Sequence, residues 1–127
     1  MTAEEFARLG FDRIASIVRD VVGDVRVYLS FDIDSLNPAF APGTGTPEVG
    51  GLTSPEVGAL LRELKGCNLV GGDGVEVVPF YEATDNTSRI TAQVLFGIVS
   101  LVKFGKRLRQ PSDEGEPSQT RNQSSEE

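Results

Sequence analysis

The sequence predicts an α/β layered domain with parallel strands, and three observations carry that expectation. Residues 25–34, VRVYLSFDID, alternate apolar and polar with period two, as a half-buried strand does. A helical segment separates this run from a second one, CNLVGGDGVEVVP, and strand–helix–strand at a spacing of roughly 30 residues implies a crossover between parallel strands. The last periodic segment, ITAQVLFGIVSLV, is apolar nearly all round, so that helix must pack on several faces.

Each element has its own local reason. Thr2 and Glu5 are spaced as a capping box ahead of Phe6 and Leu9, which starts a first helix. Asp12 can cap a second, with Ile14, Ile17, Val18, Val21 and Val22 on one face and Gly23 as its stop. In the first strand Val25, Val27, Leu29, Phe31 and Ile33 share one face, and Arg26, Tyr28, Ser30, Asp32 and Asp34 the other. Asp32 and Asp34 are therefore expected to leave the strand together near its C-terminal end, about 6.5–7 Å apart. Ser35 to Leu52 is a long connection whose prolines and apolar Ala39, Phe40 and Ala41 suggest an ordered wrap. Thr53 and Glu56 form another capping box, with Pro55 in the first turn and Val57, Leu60, Leu61 and Leu64 turned inward until Gly66. Glycines interrupt the second strand, Pro79 closes it, and Asn86 or Thr87 starts the last helix.

The foldable part ends near residue 105. From Lys106 onward the text is rich in Ser, Gln, Pro and Glu, too polar to offset the entropy of ordering, so residues 106–127 are expected to be a disordered acidic tail. Net charge is −7, of which Pro111–Glu127 contributes −4, leaving the folded part near −3. That balance argues against nucleic acid, which needs a basic surface. Lys103, Lys106, Arg107 and Arg109 are more simply explained as favourable charge at a helix C-terminus. A single cysteine, Cys67, excludes a disulfide framework and a thiolate zinc site. No apolar run approaches the roughly 20 residues of a membrane span, and with Met1 as the true start a cytoplasmic protein is expected.

In parallel α/β sheets sites lie beyond the carboxyl ends of strands, which is where Asp32, Asp34 and the segment after Val75 fall. Two neighbouring carboxylates repel each other, and a hard divalent cation such as Mg²⁺, Mn²⁺ or Ca²⁺ would remove that cost. From spacing alone the commoner reading is that the aspartates cap a strand end and salt-bridge to neighbours. DIDSL partly imitates the nucleophile loop of haloacid-dehalogenase-type phosphatases, but Leu36 stands where Thr or Val belongs. GGDG at residues 71–74 lacks the lysine and Ser/Thr of a phosphate loop and reads better as a close backbone approach or a bulge.

Two longer stretches are more specific. SFDIDSLNPAFAPGTGTPEVGGLT resembles the signature of the ureohydrolase family, the manganese enzymes that include arginase, agmatinase and guanidinobutyrase. GGDGVEVVPFYEATDNTSRITAQVLFGIVSLV resembles that family's closing strand and helix, nearest the agmatinase and guanidinobutyrase branch. The resemblance spans roughly residues 2–104. It implies a three-layer α/β/α domain with a mostly parallel sheet, of which residues 1–105 would be the C-terminal part. It implies hydrolysis of a guanidino compound to an amine and urea by two Mn²⁺ ions, and a homo-oligomer in the complete enzyme. By the same resemblance Asp32 matches the aspartate bridging both metals and Asp34 a ligand of one. Glu76 matches the acid that receives the substrate guanidinium, and Thr46 lines the pocket.

The family's remaining ligands lie in motifs resembling GGDHS and DAHxD, and this chain has no histidine. The expectation is an incomplete centre that turns over no guanidino compound alone. The alternative is a non-catalytic interaction fragment that docks on a full-length ureohydrolase. Three residues depart from the family pattern: Asn37 stands where Asp is usual, Gly74 replaces a bulky residue and should weaken its strand, and Gly97 sits inside a helix where Glu is common.

Overall fold

The structure, a computed structural model, describes residues 2–105, so the expected acidic tail lies outside the described residues. Helix α1, Ala3–Leu9, carries the predicted capping box: Thr2 Oγ1 accepts the Glu5 amide at 3.2 Å, and Glu5 accepts the Thr2 amide at 2.7 Å. Helix α2, Phe11–Val22, starts ahead of Asp12, which lies in its first turn rather than at its cap. Its buried residues are Ile14 and Ala15, while Val21 is 81% exposed, so the helix is rotated from the face that periodicity alone selects. Gly23 ends it at φ 52°, with its amide bonded to the Arg19 carbonyl at 2.8 Å.

Strand β1, Val27–Asp32, pairs in parallel with β2, Leu69–Val75, as the crossover requires. Leu29 lies opposite Gly72, Phe31 opposite Gly74 and Asp32 opposite Val75, with an irregularity between Val27 and Tyr28. Helices α3, Ser54–Glu63, and α4, Asn86–Gly105, complete the α-helices among the described residues, and two short 3-10 helices lie at Ile33–Ser35 and Pro79–Tyr81. The Thr53–Glu56 box opens α3, with Pro55 in its first turn.

Two apolar clusters share Leu29. One gathers Ile33, Leu36, Ala41, Val57, Leu61, Val94 and Ile98, and the other gathers Ala15, Leu64, Cys67 and Leu69. Helices α2, α3 and α4 thus cover the Leu29 face of the sheet. On the opposite face Tyr28 is 60% exposed, and Ser30 and Asp32 are exposed as well. The described residues supply two layers of the three that the resemblance implies, the sheet and one layer of helices.

Three local expectations need correction. The first strand stops at Asp32 rather than Asp34, because the Asp32 carboxylate accepts the Asp34 amide at 2.9 Å and turns Ile33–Ser35 into a short 3-10 helix. The second stops at Val75, because Glu76 has φ 64°, outside extended space. Gly74 does not loosen its strand. A Cβ there would lie 2.8 Å from Thr91 Cγ2, so the missing side chain is what lets α4 approach β2. Gly97 is similar in kind, its Cβ position lying 3.0 Å from Leu61 Cδ1. Asn37 performs the turn role open to an aspartate, accepting the Ala39 amide on Oδ1 at 2.9 Å.

The long connection is ordered, as expected. The Asn37 amide donates to the Leu52 carbonyl at 2.9 Å, the Leu52 amide donates to the Ser35 carbonyl at 2.9 Å, and Leu36 and Ala41 are fully buried. Among the described residues no helix is long and apolar enough to cross a membrane.

Candidate functional site

The carboxyl ends of β1 and β2 lie side by side, and the long connection folds over them. Asp32 is the last residue of β1 and is exposed; Asp34 sits two residues on, in the 3-10 turn, half-buried. The pair therefore does not project as two teeth of one strand. Instead the first aspartate holds the backbone that presents the second.

Asp34 is clasped from the connection. The hydroxyls of Thr44 and Thr46 reach one carboxylate oxygen each, and the Glu48 amide donates to the Asp34 carbonyl at 2.8 Å. Thr44 is buried at 3% exposure, and its hydroxyl also reaches the Glu76 carbonyl at 2.7 Å. One hydroxyl proton serves either acceptor at a time, so Thr44 joins the ends of both strands. Glu76 follows β2 directly, with an exposed side chain and a backbone that few non-glycine residues adopt. The structure thus brings Asp34, Thr46 and Glu76 into one neighbourhood, with Asp32 beneath the turn. Thr44 escaped the sequence reading, although GTGT repeats the same two-residue spacing as the aspartates.

The Thr44 hydroxyl, then that of Thr46, holds the Asp34 carboxyl below the usual carboxylate range, against a smaller opposing effect of burial. A folded-state pKa that is depressed adds stability above the unfolded value of about 3.9 and loses it as pH falls through the lower folded value. Thr44→Val is expected to raise the Asp34 pKa toward the ordinary range. The stability gap between wild type and variant should be widest near neutrality and narrow in acid. A ¹³C carboxyl titration checks the first statement, and melts at neutral and acid pH the second.

Two carboxylates are oxygen donors of the kind Mn²⁺ takes, but an octahedral oxygen site needs about six. Among the described residues no three His, Cys, Asp or Glu side chains converge on one point, and both Asp34 oxygens face threonine hydroxyls. The described residues do not by themselves complete a manganese centre.

Comparison with known proteins identifies the family. The arginase family description matches residues 1–100. The chain is 54% identical over 83 residues to an agmatinase of Enterobacter sp. strain 638, covering 65% of this chain and 27% of that protein. It is 46% identical over 99 residues to a guanidinopropionase of Pseudomonas aeruginosa, covering 78% and 31%. The solved structure of a hypothetical agmatinase from Burkholderia thailandensis superposes at a TM-score of 0.77 with 41% identity, covering 83% of this chain and 34% of that one. The chain spans between 24% and 31% of the length of the first curated relatives it matches. With the parallel strand pair, the paired aspartates at its end and a family match over most of its length, the chain belongs to the arginase family.

Proposed function

We propose that residues 2–105 carry the carboxylate half of a manganese centre and the guanidinium-receiving end of an agmatinase-like hydrolase. In the complete protein, water would add to the guanidinium carbon of agmatine or guanidinobutyrate. The bond from that carbon to the alkyl nitrogen would break, leaving an amine and urea. Asp32 and Asp34 are the metal donors in this reading. Glu76 receives the planar cation, whose paired N–H groups suit a carboxylate, and Thr46 lines the pocket. The remaining donors, two histidine-bearing motifs of the family, come from sequence outside this chain, and this stretch alone turns nothing over.

The observation that supports the reading best is the Thr44 bridge. It ties the Asp34 carboxylate to the start of the Glu76 segment beyond the ends of two adjacent parallel strands, where α/β proteins place their sites.

The purified chain, given Mn²⁺ and either agmatine or 4-guanidinobutyrate, is expected to release no urea. Joined in frame to a segment bearing the family's GGDHS-like and DAHxD-like motifs, it should release urea only with Mn²⁺. In that joined protein Asp32→Ala or Asp34→Ala should lower kcat/KM by at least roughly 100-fold. Urea from the chain with Mn²⁺ alone would sink the incomplete centre. An Asp34→Ala variant at the parent rate would remove Asp34 from it.

A further inference from the structure

The loop that clasps Asp34 is itself held from behind, by the start of α4. The Gly43 amide donates to Thr87 Oγ1 at 2.8 Å, and this bond is buried: Thr87 is 0% exposed. The Gly43 carbonyl accepts the Val78 amide at 2.8 Å, so both backbone groups of the residue before Thr44 are fixed. Glu82 completes the hold. Its Oε1 accepts the Thr87 amide at 2.7 Å, and its carboxyl lies where a Gly43 Cβ would come within 2.8 Å. Next to Thr87, the Asn86 side-chain amide donates to the Phe40 carbonyl at 2.7 Å. Regular ladder bonds do not reach this part of the connection, so the start of α4 and the segment after β2 hold it over the strand ends.

We propose that Thr87, supported by Glu82, is a positioning residue that sets the direction of the Asp34 carboxylate through Gly43 and Thr44. Its bearing on metal binding rests on the reading of Asp34 as a donor. Without the Thr87 oxygen the Gly43 amide is buried with no partner, a cost the loop relieves by moving. A hydroxyl–carboxylate bond weakens steeply once distance or angle departs from its preferred range. Movement at Gly43 therefore reaches Asp34 through the very next residue.

The test is NMR of the full chain at neutral pH, with Thr87→Val, which keeps the shape and loses the acceptor, and Thr87→Ser, which keeps the acceptor. Leu64→Ala, at the end of α3, 7% exposed and packed in the other cluster with Ala15, Cys67 and Leu69, is a control that costs stability away from the loop. In Thr87→Val the Gly43 amide should exchange at least tenfold faster, and the Asp34 carboxyl and Thr44 resonances should shift together. Thr87→Ser should restore both. Leu64→Ala should lower the melting temperature and leave the Asp34 resonance in place.

Unmoved Asp34 and Thr44 resonances in a folded Thr87→Val would overturn the proposal, and so would equal movement in Leu64→Ala. Should Thr87→Val not fold, Glu82→Leu, which removes the oxygen that accepts the Thr87 amide, carries the same comparison: both resonances must move, and stationary ones reject the idea. A titration with Mn²⁺ separates the two readings. Site-selective broadening at Asp32 and Asp34 supports them as donors, and at least threefold weaker broadening in Thr87→Val links positioning to binding. No broadening in wild type counts against the donor assignment, while the diamagnetic shifts still decide the role of Thr87.

Discussion

Gly72→Ala is expected to lower the melting temperature by about 10–20 °C or to abolish the cooperative transition. Gly72 pairs with Leu29 across the strands and faces α4. A Cβ there would lie 2.4 Å from the Leu29 carbonyl oxygen and 2.8 Å from Ile98 Cγ2. The first obstacle is backbone and cannot rotate away, and the second is a side chain 2% exposed in the core. Either the strands part or α4 lifts, and each movement breaks contacts made along the whole element. Overpacking costs about 1–3 kcal/mol and occasionally more, and a backbone obstacle places this site at the upper end. The whole stability of a small domain is only about 5–15 kcal/mol. Gly74→Ala meets only the Thr91 methyl at 2.8 Å, a side chain that can shift, and should cost less. Gly45→Ala, with nothing within 4 Å, should melt like wild type. Thermal melts of the three variants check the order, and a Gly72→Ala curve overlying wild type would refute it.

That close approach also marks where the sequence was legible and where it was not. Alternation along β1 could be read because its period is a property of the backbone, and it holds as far as Asp32. It failed two residues later because the Asp32 side chain captures the Asp34 amide, a local competition that hydropathy does not register. The helix caps at Thr2 and Thr53 were legible for the opposite reason: there the side chain bonds three residues away and leaves a fixed spacing. Gly74 looked like a weakness because a single sequence does not reveal what packs against a strand. Once α4 is in place, the same glycine is a point of contact.

The site follows the same division. Asp32, Asp34, Thr46 and Glu76 could be named from the resemblance of two contiguous stretches. The clasp around Asp34 could not be fully read, since Thr44 works by joining it to a carbonyl 32 residues further along. Thr87 is more distant still, 44 residues from the Gly43 amide it accepts. Such pairs appear only when the loop is laid across the strand ends.

Ile33 ties the fold to the site most directly, and its truncation is expected to be the other severe change. It stands between the two aspartates and is 0% exposed, packed in the cluster with Leu36, Val57, Leu61 and Ile98. Its carbonyl accepts the Leu36 amide at 3.1 Å, closing the turn that carries Asp34. The side chain thus anchors a turn whose outward neighbours face the candidate site. Ile33→Ala should cost about 2–5 kcal/mol, and Ile33→Val about 0.5–1.5 kcal/mol. Denaturant titrations of the chain measure both. A merely buried residue would show that loss alone, whereas an anchor of the turn affects the site as well. In the joined hydrolase, assayed where each variant remains folded, Ile33→Ala should also lower kcat, because its turn no longer holds Asp34 at a fixed height over the strand ends. Ile33→Val keeps most of the anchor and should keep most of the rate. A folded Ile33→Ala enzyme with the parent kcat would show that the core supports the turn without setting the position of Asp34.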